Sequence, residues 1–234
     1  MMRSGNDSAS QVWAIVPVKQ LGRAKQRLSA VLSAQERIAL ARAMTQDVLT
    51  TLSATPELDG ILVVTGDTTV TRLAARFGAA MIGDMMEAGV NAAVRHGLRA
   101  PQISDAGVLI VPADIPFATP ADLHSVLSGL RDADVVLAPA ASDGGTNALA
   151  MRRRDLIVPG FGTDSFMRHQ ALARNAGLAC DVVRREGLGQ DIDNPCDLVI
   201  PGTPSPSSQT AQLLLELKMA TRLPDVVLCA GRQM

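Results

Sequence analysis

Two acidic motifs carry the clearest chemical signal in this chain. Pro112-Ala113-Asp114-Ile115-Pro116 sets one carboxylate between two prolines, whose fixed φ stiffens the turn. Asp191-Ile192-Asp193-Asn194-Pro195 carries two carboxylates at period-two spacing, and an extended backbone aims both to one side. Like charges held close repel unless a proton or a cation intervenes. Three such carboxylates meeting at one point suit Mg²⁺, a hard ion that takes oxygen ligands and substrate phosphates. The competing reading is local: Asp114 caps a turn, and the second motif is an Asx turn opening a short helix at Pro195.

A second group is cationic. Lys19, Arg23, Lys25 and Arg27 crowd one loop, which suits a polyphosphate, or else simply a solvated basic surface. The loop has neither G-x-G-x-x-G nor G-x-x-x-x-G-K-[ST], which counts against a dehydrogenase or a P-loop ATPase. A third group is Asp143-Gly144-Gly145-Thr146-Asn147 with Phe161-Gly162-Thr163-Asp164-Ser165-Phe166. Its glycines let backbone approach an anion closely. Ser165 lies in the first turn of a predicted helix, where free N–H groups attract phosphate, although an ordinary loop and an Asp164 cap explain the pattern equally. Asn91 opens another helix and either meets a base or ribose or caps. His96, His124 and His169 fall on three separate predicted helices without ligand spacing; exposure or packing is expected of each. No nucleophile elbow or Cys/His pairing is evident.

These groups must be carried by a scaffold, and the apolar pattern supplies one. Val12–Val18 is a continuous apolar run, as in a strand buried on both faces. Strands are likewise expected at 61–65, 79–82, 108–111, 135–138, 147–151 and 178–183. Helices are expected at 33–54, 68–77, 89–100, from Thr119-Pro120, and at 164–176. Ser33 and Glu36 form a capping box, Thr119-Pro120 is a cap followed by proline, and Gly78 and Gly177 close their helices. Alternation of this kind implies α/β architecture: one Rossmann-like domain with a mainly parallel sheet flanked by helices. In such a sheet ligands sit beyond the carboxyl ends of the strands, which is where Asp114 and the basic loop fall. The domain should span residues 12–200, after a disordered N-terminus (1–11). A Pro/Ser-rich linker (201–209) and a helical extension (210–234) follow; its Gln212–Leu223 helix either docks or serves an oligomer contact such as a homodimer.

Composition bounds the partners. With 22 Lys+Arg against 23 Asp+Glu, net charge −1, a general nucleic-acid binder is disfavoured, since phosphate neutralisation needs a surplus of cations. Aromatics at 2% leave few platforms for stacking single strands. Apolar residues at 47% exclude a wholly disordered chain. Apolar runs fall short of the roughly 20 residues a membrane span needs. Cys180, Cys196 and Cys229 fit no metal or redox spacing. No secretory signal precedes Val12, so a cytoplasmic address is expected.

Taken in order, VPVK-x₄-AK-x-RL (16–28), VPADIP (111–116), GGTNAL (144–149), FGTDSF-x-x-H (161–169) and DIDNP-x-DL (191–198) resemble the guanylyltransferases of deazaflavin coenzyme (coenzyme F-420) biosynthesis. That family lies within the molybdopterin guanylyltransferase-like nucleotidyltransferases. The resemblance covers roughly residues 12–200 and departs at Gly89-Val90-Asn91, where the family reads Gly-Leu-Asn. It implies transfer of GMP from GTP to 2-phospholactate, phosphoenolpyruvate or 3-phosphoglycerate, with release of pyrophosphate. It also implies roles. Asp114, Asp191 and Asp193 hold Mg²⁺; Lys19 and Lys25 serve the nucleotide loop and, with Asp114, catalysis. Pro17, Asn91 and Pro112 contact the nucleotide, and Thr146, Gly162 and Ser165 hold the acceptor's phosphate or carboxylate. The alternatives are a molybdopterin guanylyl- or cytidylyltransferase and a non-catalytic nucleotide-binding regulatory domain.

Overall fold

The run Val12–Val18 forms β1 in a computed structural model that describes residues 11–83, 88–199 and 207–223. Its side chains alternate between two cores: Ala14 and Val16 join one cluster, Ile15 the other. This is the period-two signature of a strand covered on both faces. Strands β2 (Gly60–Thr65), β3 (Ala80–Gly83), β4 (Gly107–Ile110), β5 (Val135–Pro139), β6 (Thr146–Met151) and β7 (Cys180–Val182) complete one sheet, ordered β3-β2-β1-β4-β6-β5-β7. The helices are α1 (Ala34–Ser53), α2 (Thr68–Ala75), α3 (Val90–Gly97), α4 (Pro120–Gly129), α5 (Ser165–Asn175), α6 (Glu186–Gly189), α7 (Gln209–Glu216) and α8 (Met219–Arg222).

Local signals set the helix ends. Ser33 accepts from the Glu36 amide while the Glu36 carboxylate takes the Ser33 amide at 2.7 Å. Thr119 and Asp122 form a second such box ahead of Pro120. Gly78 and Gly177 adopt φ of 66° and 68° after α2 and α5.

The pairing β1–β2, β1–β4, β2–β3 and β5–β7 is parallel. Strand β6 runs antiparallel to both β4 and β5. Its reversal brings the beginning of β6, Thr146 and Asn147, to the rim where the parallel strands end. The order also steps outward from β1 to β3 and then restarts at β4 on the other side of β1. This places a topological switch point between β1 and β4.

The C-terminal extension docks on α1. Instead of one helix from Gln212 to Leu223, it begins at Gln209 and breaks at Lys218, whose φ is 52°. Buried Asp47 of α1 accepts hydrogen bonds from Ser208 Oγ (3.0 Å) and from the Gln209 and Thr210 amides (both 2.8 Å), capping α7 from outside its own segment. Leu214, Met219 and Leu223 enter the core beside α1. Arg222 Nη1 reaches Glu36 Oε1 at 2.6 Å. Arg222, and then Ser33, holds the Glu36 carboxyl down at about 2. The expected disordered start falls outside the described residues except for Gln11. The expected linker is described only from Ser207, and residues 224–234 with Cys229 also lie outside.

Candidate active site

A cavity of about 700 Å³ opens at the switch point, a size suited to small molecules. Pro17, Lys19 and Lys25 line it from the β1 side, Pro112 and Asp114 from the end of β4, and Asp191 and Asp193 from the segment beyond α6. Thr146 and Gly162 line the opposite wall.

Lys25 is the residue around which the acidic groups gather. It lies between two short 3-10 turns (Leu21–Arg23, Gln26–Leu28) with φ 52° and ψ 40°, a left-handed conformation costing a non-glycine residue about 1–2 kcal/mol. Its side chain runs inward, and Nζ stands 2.6 Å from Asp114 Oδ2 and 2.8 Å from Asp193 Oδ1. Burial opposes the ammonium, but Asp114 and Asp193 outweigh it and raise the Lys25 pKa. Burial likewise opposes the Asp193 carboxylate. Lys25, with Arg27 and Lys19 behind it, reverses the balance and lowers its pKa.

The two acidic motifs are stitched through backbone: the Ile192 amide donates to the Asp114 carbonyl at 3.1 Å. Asp191 is held by Asn147 Nδ2 at 3.2 Å. Burial, with Asp114 and Asp193 nearby, pushes its carboxyl up to about 6. A short 3-10 helix does begin at Pro195, but Asp197 accepts from the Asp193 and Asn194 amides (3.0 and 2.8 Å). The helix-opening reading of this motif is thus present, with Asn194 as the N-cap and Asp197 completing its capping box, while Asp191 and Asp193 line the cavity. Among the described residues no three carboxylate, histidine or cysteine groups stand ready as a metal cage; the Lys25 ammonium fills the space between Asp114 and Asp193.

The other wall is a braced loop. Gly162 has φ 128°, a backbone that glycine alone adopts without strain. Asn91 uses both ends of its amide on Phe161, accepting from its N–H at 2.7 Å and donating to its carbonyl at 3.0 Å. Arg168 donates to the carbonyls of Gly160 (2.8 Å) and Thr163 (2.9 Å). Asn91 thus stands behind the wall and holds the loop. Ser165 also stands behind it, fully buried at the start of α5, with its hydroxyl donating to Thr146 Oγ1 at 3.2 Å.

His96 and His124 are exposed. His169 is fully buried, with ring nitrogens 2.9 Å from Thr146 Oγ1 and 2.9 Å from the Gly160 amide. Packing alone does not describe it. A sequence signal was present: His169 follows Ser165 by four, the spacing of one helical face. Asn147 had no such signal, because its partners, Asp191 and the Leu188 carbonyl, lie more than forty residues away.

Four similarities to known families and proteins bear on this site. Residues 12–204 match a family model described as "Guanylyl transferase CofC like". A phosphoenolpyruvate guanylyltransferase of Conexibacter woesei is 41% identical over 189 residues, covering 80% of this chain and 85% of that protein. A 3-phospho-D-glycerate guanylyltransferase of Phenylobacterium zucineum is 38% identical over 213 residues, covering 89% and 98% respectively. In fold, a nucleotidyl transferase from Methanothermobacter superposes with a TM-score of 0.59 at 20% identity, covering 82% of this chain and 94% of that one.

Proposed function

The chain belongs to the CofC-like guanylyl transferase family, and on that footing we propose that it transfers the GMP unit of GTP to the phosphate of a small phosphorylated carboxylic acid. The acceptor is phosphoenolpyruvate, 3-phosphoglycerate or 2-phospholactate; pyrophosphate is released, and the product serves coenzyme F-420 biosynthesis. One observation carries this: a single cavity faces a cation-and-carboxylate cluster on one side and a hydroxyl- and glycine-lined wall on the other. Two anions can be held there at once.

The acceptor's phosphate is already an anionic nucleophile at neutral pH. One of its oxygens bonds to the α-phosphorus of GTP as the α-phosphorus–oxygen bond toward the β-phosphate breaks. The electron pair leaves with pyrophosphate, and no proton changes hands. No general base is needed, so the work is positioning and charge stabilisation. Lys19, exposed at the mouth, and Lys25, inside, offset phosphate charge.

Asp114, Asp191 and Asp193 would hold Mg²⁺, which supplies further charge neutralisation at the phosphates. Their chemistry fits the ion. All are oxygen donors: Asp114 and Asp193 share the Lys25 ammonium, and Asp191 beside them, buried near both carboxylates, is pushed up to about 6. We also place the reaction in the cytoplasm; no helix among the described residues is long and apolar enough to cross a membrane.

The test is pyrophosphate release with GTP, CTP or ATP crossed against the three acids, with Mg²⁺ or with EDTA. Release is expected only with GTP, an acid and Mg²⁺, and Asp114→Asn should stay folded without turnover. GTP binding without pyrophosphate from any acid would overturn the proposal in favour of a binding domain.

A further inference from the structure

We propose that His169 is a positioning residue that fixes the Thr146 hydroxyl as a hydrogen-bond donor to the acceptor's anionic group; this rests on the guanylyl-transfer reading. The direction of each hydrogen bond follows from which groups can only donate. The Gly160 amide is a donor, so the nitrogen it meets at 2.9 Å, Nε2 of His169, presents its lone pair. A neutral imidazole carries its one proton on the other nitrogen. Nδ1–H therefore donates across 2.9 Å to Thr146 Oγ1. Ser165 Oγ donates to the same oxygen at 3.2 Å.

A hydroxyl oxygen accepts two hydrogen bonds and donates one. With both acceptor positions filled from behind, the Thr146 proton is directed away from His169 and Ser165. Those two side chains are fully buried, whereas Thr146 lines the cavity. An unconstrained threonine rotates and offers a lone pair as readily as a proton, and a lone pair repels an anion. The chain from Gly160 through His169 removes that freedom before the substrate arrives, as preorganised donors do.

The arrangement needs a neutral ring, because an imidazolium would turn an N–H against the Gly160 N–H. Burial, with Arg168 adjacent, holds the His169 pKa down at about 4. His169 also packs edge-on against Phe161, with centroids 5.3 Å apart. The tautomer that orients Thr146 is thus set by the same loop that forms the acceptor wall.

Two amide replacements separate the two nitrogens. The amide of His169→Asn falls near Nδ1 and retains a donor toward Thr146; that of His169→Gln falls near Nε2 and loses it. In pyrophosphate-release kinetics, Gln should raise KM for the acceptor about tenfold, the worth of one hydrogen bond to an anion, with KM for GTP unchanged. Asn should stay close to wild type, and Gln should add nothing in a Thr146→Val background. KM does not depend on the fraction of chain folded, so a stability loss does not obscure the comparison. Equal effects of Asn and Gln, a matching rise in KM for GTP, or additivity with Thr146→Val would each overturn the proposal. Independently of activity, ¹⁵N NMR of the wild-type ring should show the proton on Nδ1; a proton on Nε2 refutes the proposal even if guanylyl transfer holds. A wild-type chain that releases no pyrophosphate, with Nδ1 protonated, instead sinks the reading beneath it.

Discussion

Replacing Lys25 with Met removes one charge while keeping the length of the side chain and the strain of its left-handed backbone, so the difference reports the ammonium alone. Truncating one partner of a buried ion pair costs about 3–5 kcal/mol. Here the side chain of Lys25 is 8% exposed, but those of Asp114 and Asp193 are 28% and 35% exposed. Water recovers part of the loss, which reduces it to about 2 kcal/mol. For a domain of this size that lowers Tm by roughly 4–8 °C. The gap has a defined pH window. Asp193 titrates below its ordinary 3.8 and Lys25 above its ordinary 10.5. The first contribution is present above about pH 4 and lost as pH falls through the lowered value. The second is present below about pH 10 and lost as pH rises through the raised one. The gap should therefore be widest between those limits and shrink outside them. Millimolar Mg²⁺ should raise Tm more in Lys25→Met than in wild type, because the ammonium no longer competes for Asp114 and Asp193. Turnover should fall about 10²-fold or more, as when a preorganised charge-stabilising group is removed. Calorimetry across pH, with and without Mg²⁺, is the assay. A variant with wild-type Tm at pH 7, or one with a Tm gap unchanged at pH 3, would refute the central place given to Lys25.

Two further outcomes follow from buried groups outside the cluster. His169 titrates at about 4 against an ordinary 6.5, so the unfolded chain binds a proton that the native chain refuses as pH falls through this range. Stability should be intact above pH 6.5 and fall by roughly 2 kcal/mol between pH 8 and pH 5. Urea unfolding should show this slope in wild type beyond that of His169→Gln; identical slopes would show that the ring is not held neutral. Asp47→Ala removes three hydrogen bonds at the start of α7 and should cost about 2 kcal/mol locally. Hydrogen exchange should then speed about thirtyfold in residues 209–223 and leave β1 and β4 protected; unchanged exchange there would refute the anchoring role.

What the sequence made legible was whatever is encoded locally. Ser33 with Glu36 and Thr119 with Pro120 announce helix starts within four residues, and the run at Val12–Val18 announces its own burial. The direction of β6 has no such mark, since a strand buried on both faces reads the same parallel or antiparallel. The two acidic motifs were visible as candidates. That a lysine would stand between them was not, because Lys25 lies 89 and 168 residues from its partners. Asn91 shows the same limit: its helix-opening position suggested a ligand contact or a cap, while its amide is committed to Phe161, 70 residues away. The C-terminal segment read as one helix because its apolar face is continuous. The start at Gln209 depends on Asp47 of α1 beneath it, and the break at Lys218 is a left-handed backbone that no residue type there announces.

The reversed strand has an evolutionary corollary. The groups proposed to hold the donor are borne where strands β1 and β4 leave the sheet, whereas Thr146, proposed to meet the acceptor, is borne where β6 enters it, just after the hairpin tip at 140–145. On the proposed assignment, edits to that tip would reshape the acceptor wall without altering the spacing of the strands on the nucleotide side. A lineage built on this plan can retool for a new phosphorylated acid one hairpin at a time and keep its nucleotide.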